Sequence, residues 1–167
     1  NTHWAYPTSN ETDAIIEDSR QALADFLNAS ADEIAFGQNM SSLTFHLGRA
    51  LGREFSSGDE IIVTELDHHA NVDTWRALEK DRGVVIRVVP MDIESGTLEF
   101  GELEKLLNSK TKLLAIGAAS NAIGTISDVK KACALAKENG TLSFVDAVHY
   151  AAHNLIDVKD FDCDFLA

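Results

Sequence analysis

Cysteine is scarce in this sequence: Cys133 and Cys163 are the only two among 167 residues. Two widely separated thiols make neither a disulfide framework nor a four-thiolate zinc site. Cys133 falls on a helical apolar face and Cys163 beside an expected strand, so both read as reduced core residues. A reducing, cytoplasmic compartment is the expectation. Basic charge is also short, with 14 Lys and Arg against 27 Asp and Glu and a net charge of −13. That deficit excludes nucleic-acid or anionic-membrane binding through a basic face. No apolar run approaches the roughly 18–20 residues of a membrane span. The opening Asn-Thr-His-Trp has no basic-then-apolar signal pattern. No Gly-x-Gly-x-x-Gly follows any expected strand, which argues against a nicotinamide-binding Rossmann domain. Internal repeats, low-complexity stretches and linkers are absent as well.

What is present is a single domain's worth of chain, 45% apolar, enough to bury a core without staples. Helical spacing of Ile15, Ile16, Ala22, Leu23, Phe26 and Leu27 predicts a helix between Asn10 and Asn28, with Ser9 as its N-cap. Ile34–Phe36 reads as a short strand after a capping-like Ser30–Glu33 turn. A helix bearing Leu43, Leu47, Ala50 and Leu51 follows, then the branched strand Glu60–Thr64. Further pairs come in order: a helix at Val72–Leu78 and a strand at Val84–Val89, then a short helix at Leu103–Leu107 and a strand from Lys112. A helix carrying Val129, Ala132, Cys133 and Ala136 leads to the strand Leu142–Val145. Cys163–Ala167 opens another strand. Strands alternating with helices of about ten residues predict an α/β fold, a three-layer αβα arrangement around a largely parallel sheet. The sequence stops in the apolar run Phe165-Leu166-Ala167, so it reads as a piece of a larger domain.

Ligands of open α/β sheets sit beyond the carboxyl ends of the strands. Those ends carry Met40, Ser41 and Ser42 at a helix start, then Asp67, His68 and His69. Ser120, Asn121 and Gly124 follow, and last Asp146, His149 and His153. Singly, each has an ordinary explanation: Ser41 and Ser42 as helix caps, Asn121 and Gly124 as a turn, Asp146 as a cap. Together they suit pyridoxal phosphate. A helix start with a hydroxyl cradles a phosphate. A strand-end carboxylate keeps a pyridine nitrogen protonated, so that the ring draws electrons from a carbanion. An imidazole stacks on the ring and keeps a nitrogen for proton transfer, and an amide donates to a substrate carboxylate.

The runs Thr64-Glu-Leu-Asp-His68-His69-Ala-Asn71, Ser120-Asn-Ala-Ile-Gly-Thr125, Val145-Asp-Ala-Val-His149 and Cys163-Asp-Phe-Leu-Ala167 resemble the class V aminotransferase family. This is a group of fold-type-I enzymes, and the likeness is to its cysteine desulfurase-like and selenocysteine lyase branch. The resemblance runs through essentially the whole sequence, with the motifs in order. It implies that His68 stacks on the cofactor ring, with Asp67 where the family has Glu. Asn121 matches the asparagine that contacts substrate and cofactor, and Asp146 the aspartate paired with the pyridine nitrogen. His149 stands where desulfurases usually have Gln, at the cofactor's phenolic oxygen. Ser41 matches one Thr of the family's phosphate loop, and Met40 replaces the other. His68 and Asp146 are thus the expected catalytic pair, and Met40, Ser41, His68, Asn121, Asp146 and His149 the expected cofactor contacts. The implied partners are an amino-acid substrate and a second copy of the chain, as a homodimer or swapped oligomer.

The family's Schiff-base lysine would follow within a few residues of Ala167. The eight lysines of this sequence lie away from the expected site edge. The family's small domain, with the desulfurase nucleophilic cysteine, would follow too. The expectation is therefore part of a large cofactor-binding domain, inactive alone, from a desulfurase-like enzyme or, as the alternative, an aminotransferase. With the partner of the first strand missing, Ile34–Phe36 is expected at an open pairing edge. The rivals are a metal site built on His149 and His153, one helical turn apart, and a non-catalytic binding or assembly module. Titration with zinc against pyridoxal phosphate separates the first of these.

Overall fold

The computed structural model describes residues 4–167; the opening Asn-Thr-His lies outside it. The described residues group into two compact units, residues 4–36 with 155–160, and residues 37–154 with 161–167.

In the first unit, α1 runs Pro7–Leu27. Its start differs from the expected Ser9 cap. Pro7 takes the first helical turn, where its missing N–H costs nothing, and Ser9 is buried inside the helix. Asn28 ends the helix in a left-handed conformation, φ 54°. Its amide also holds Asp157, Nδ2 to Oδ1 at 3.0 Å. The Ser30–Glu33 capping box is present. Ile34–Phe36 forms no strand. Ile34 leaves the box in an extended conformation, but a strand needs a ladder partner and none stands beside it among the described residues. Instead the Ile34 carbonyl accepts from the Arg20 guanidinium, which also lies over the Phe36 ring at 5.1 Å.

The second unit holds the sheet. Its elements are α2 (Met40–Leu51), β1 (Glu60–Thr64), α3 (Asp73–Arg82), β2 (Val85–Val89), β3 (Met91–Asp92), β4 (Thr97–Leu98), α4 (Phe100–Leu106), β5 (Thr111–Gly117), α5 (Val129–Glu138), β6 (Leu142–Asp146) and β7 (Phe165–Leu166). Five strands lie in the order β2-β1-β5-β6-β7, and every neighbouring pair is parallel. The two-residue strands β3 and β4 form a separate antiparallel hairpin, which the sequence reading did not place.

Strand alternation sends successive side chains to opposite faces. Ile61, Val63, Leu113, Ala115 and Phe144 join Trp75 and Leu78 of α3 in one core, with Leu47 and Leu51 of α2 against it. Thr64, Leu114 and Ile116 face the other way, toward Leu98, Phe100 and Leu103. α5 also packs on β5 and β6. The result is the three-layer α/β arrangement expected. Gly48 and Gly52 let α2 come close to α3. A Cβ on Gly48 would lie 3.5 Å from the Trp75 ring, and one on Gly52 would lie 2.7 Å from Leu78. Because residue 48 meets 75 and 52 meets 78, the two helices run in the same sense. The start of α3 therefore lies beside the middle of α2, whose own first turns extend past it.

At the opposite end of the sheet, Glu60 is buried with 7% exposure. Its carboxylate accepts from Arg87 Nη2 and Asn108 Nδ2, each at 2.8 Å. These two bonds, Arg87's first, hold its pKa below the usual 4.5. Glu60→Ala should cost about 1–2 kcal/mol, at the low end for charged hydrogen bonds because Arg87 is half-exposed. The contribution is complete above the unfolded value and disappears as pH falls through the lower native one. Urea midpoints of wild type and variant should accordingly converge below pH 4.5. No helix among the described residues is long and apolar enough to cross a membrane.

Candidate functional site

The strand order contains one reversal. The chain goes outward from β1 to β2, then returns to lay β5 on β1's other side. Such a switch point opens a crevice at the carboxyl ends of the two strands. The loops after β1 and β5 flank it, and the loop after β6 lies next door. These loops carry His68, Asn121 and His149, and Asp146 ends β6 beside them.

Asp146 is the last residue of β6, in register with Gly117, the last of β5. Its Oδ1 accepts from the Val148 N–H at 3.0 Å, so the capping role is real. Among the described residues Oδ2 receives no such bond. Burial pushes the Asp146 carboxyl above its usual value. The Val148 N–H and the imidazoles of His68 and His149 pull the other way. His68 and His149 thus share the carboxylate's side of the molecule. Both are exposed. His68 accepts the Ala70 N–H on Nδ1 at 3.1 Å, which leaves Nε2 turned away from that bond. His69 is occupied differently, holding Asp73 at 3.0 Å on the surface.

Asn121 sits exposed on a turn between Ala119 and Ile126, which bridge each other. Ser120 N donates to Thr125 O at 2.9 Å and closes the loop. The β3–β4 hairpin lies against it. A Cβ on Gly96, whose φ of +66° favours glycine, would stand 3.0 Å from Ile123 and 3.4 Å from the Thr125 hydroxyl.

α2 packs beside the 3-10 turn His69–Asn71. Its cap is Asn39 rather than Ser41 or Ser42: the Asn39 amide oxygen accepts the Ser42 N–H at 2.9 Å. Leu43 N donates to Asn39 O. The N–H groups of Met40 and Ser41 remain without helical acceptors, as the first turn of any helix requires. The Met40 side chain packs on the core, so only its main chain faces outward. Ser41 stands half-buried beside it.

The structure also brings Asp67 to this edge. Thr64 Oγ1 donates to its Oδ2 at 2.6 Å, and Asn71 Nδ2 to its Oδ1 at 2.9 Å. Asn71 in turn accepts the Trp75 indole N–H at 3.1 Å. The sequence reading missed this network and Asn39. An Asn just ahead of a helical run was the available signal for the cap. His149 and His153 do not share a helix; residues 148–154 form turns and a bend. Among the described residues, no group of three or more His, Cys, Asp or Glu side chains is placed to hold a metal ion. Cys133 and Cys163 are free thiols. Burial pushes them up to about 11 and about 12, out of nucleophile range at neutral pH.

A half-buried carboxylate at a strand end of a parallel sheet with one order reversal has the plan of a ligand-binding α/β domain. The family model for class V aminotransferases matches residues 2–167, and the chain belongs to that family. It is 38% identical over 159 residues to cysteine desulfurases of Pectobacterium atrosepticum and Serratia proteamaculans. The alignment covers 94% of this chain and 39% of each relative, so the chain spans about two-fifths of their length. Among solved structures, the apo cysteine desulfurase of Thermococcus onnurineus NA1 superposes with TM-score 0.93 at 32% identity, covering 99% of this chain and 41% of that one. The cysteine desulfurase CsdA of Escherichia coli gives 0.88 at 26%, covering 99% and 42%.

Proposed function

We propose that residues 1–167 are part of the large, cofactor-binding domain of a pyridoxal-phosphate enzyme that releases sulfur from cysteine. The observation that carries this reading is Asp146, a half-buried carboxylate at a parallel strand end whose charge is favoured by the imidazoles of His68 and His149, in a chain of the class V aminotransferase family. The residues present fit the group. Asp146 Oδ2 is unclaimed among the described residues, and α2 offers two unclaimed N–H groups beside the Ser41 hydroxyl.

When bound, pyridoxal phosphate supplies an electron-withdrawing ring that stabilises negative charge on the substrate carbon. Asp146 would hold the proton on the ring nitrogen. His68 would lie over the ring and move a proton at Nε2. His149 would approach the phenolic oxygen, and Asn121 would donate to the substrate carboxylate. Main-chain N–H groups of Met40 and Ser41 would bind the phosphate. The remaining machinery of desulfuration falls to the rest of the enzyme, in a homodimer.

The whole enzyme, supplied with L-cysteine and a thiol reductant, is expected to form sulfide and alanine in equal amounts. Formation of the 2-oxo acid from cysteine, with the amino group retained by the enzyme, would establish transamination instead.

A further inference from the structure

Asp67 is the carboxyl at this edge to which the proposed function gives no task. Its position is over-determined. The hydroxyl of Thr64 and the amide of Asn71 each hold one oxygen, and Asn71 is itself wholly buried and anchored by Trp75. Oδ1 lies only 2.8 Å from where a Cβ on Gly117 would be. Gly117 stands in register with Asp146. Three adjacent strand ends, β1, β5 and β6, therefore set two carboxyl groups around one bare Cα.

The groups that face this pair are few. Thr64 and Asn71 bond Asp67 and the Asp146 charge acts on it, while the imidazoles of His68 and His149 act on Asp146. The imidazoles of this edge therefore act on Asp146 rather than on Asp67. Two carboxyls close together in a partly desolvated place lose their protons in sequence rather than together.

We propose that Asp67 is a positioning residue that holds one proton in common with Asp146 across Gly117, so that the pair carries a single negative charge and presents it on the Asp146 side. Both carboxyls are displaced in the direction this requires. Burial, helped by the Asp146 charge, pushes Asp67 up to about 7, and burial raises Asp146 as well. The inference deepens the function proposed above, and rests on it only for what the charge is for: a lone anion aimed at a ring N–H.

The test uses the ligand-free protein with aspartate carboxyl carbons labelled for 13C NMR. In wild type, the Asp67 and Asp146 resonances should each titrate in two steps with common midpoints, as coupled sites do. Asp67→Asn should leave Asp146 with one step, moved down by about one pH unit or more. Gly117→Ala keeps both carboxyls but presses on Asp67, and should shift the upper step. Independent single-step curves in wild type would overturn the proposal even where Asp67→Asn fails to fold. So would an Asp146 midpoint unmoved in a folded Asp67→Asn. Failure of the protein to bind pyridoxal phosphate would strike the proposed function and leave these curves untouched.

Discussion

Trp75→Ala is expected to destabilise the protein by about 3–5 kcal/mol. That is a large part of the roughly 5–15 kcal/mol that holds a domain of this kind folded. The ring is fully enclosed. It meets Phe144 edge to face, with centroids 5.4 Å apart and an interplanar angle of 71°, and fills the space beside Gly48. Neighbours on β6 and α2 are fixed by their own elements, so they would close over the cavity only in part. Trp75→Phe divides the effect. It restores much of the packing but removes the indole donor, leaving the buried Asn71 Oδ1 without its partner at about 1–3 kcal/mol. Urea unfolding of the two variants, with m unchanged, measures both numbers. A loss under 1 kcal/mol for Trp75→Ala would mean that the α3 face of the sheet is not the main core.

The second large effect concerns ligand affinity. A charge-assisted hydrogen bond contributes about 1.5–3 kcal/mol, so Asp146→Asn should weaken pyridoxal phosphate binding by roughly 10- to 150-fold. Asparagine keeps the size of the side chain and its bond from Val148 but carries no charge. The ligand's 1-deaza analogue has no ring nitrogen to protonate, and its affinity should be unchanged by the substitution. An equal loss for both ligands would attribute the effect to shape and remove Asp146 from its proposed role. The acid limb has a definite sign. The carboxylate is charged above its native pKa, which burial sets higher than usual. Acidification should therefore abolish the preference for pyridoxal phosphate over the analogue at a higher pH than an ordinary aspartate would give.

Much of this molecule is readable from the order of its residues, and the exceptions share a cause. β1, β5 and β6 are dense in branched and apolar residues over five to seven positions, which local preference identifies. Ile34–Phe36 has the same local character but gains no ladder partner among the described residues, and pairing is a property of the sheet rather than of the segment. The β3–β4 hairpin fails in the opposite direction. Two residues per strand are too few to show alternation, and the hairpin exists because Gly96 turns it back.

The site divides along the same line. Its individual groups were visible as polar residues following strands. Their grouping depends on β5 returning beside β1, which no local pattern specifies. Asp67 was noted only as a shorter stand-in for Glu. Its hold on Asn71 is local, four residues along the same loop, but its closeness to Gly117 follows from the strand order, as does the influence of both His68 and His149 on one carboxylate.

The indole of Trp75 is both the largest ring in the interior and the start of a line of touching groups that runs through Asn71 to Asp67 at the rim. The middle of the molecule cannot loosen on warming while its mouth keeps its shape. Heat should erase ligand recognition and the interior together, in one step, and the indole hydrogen should be among the last to trade places with deuterium from the solvent.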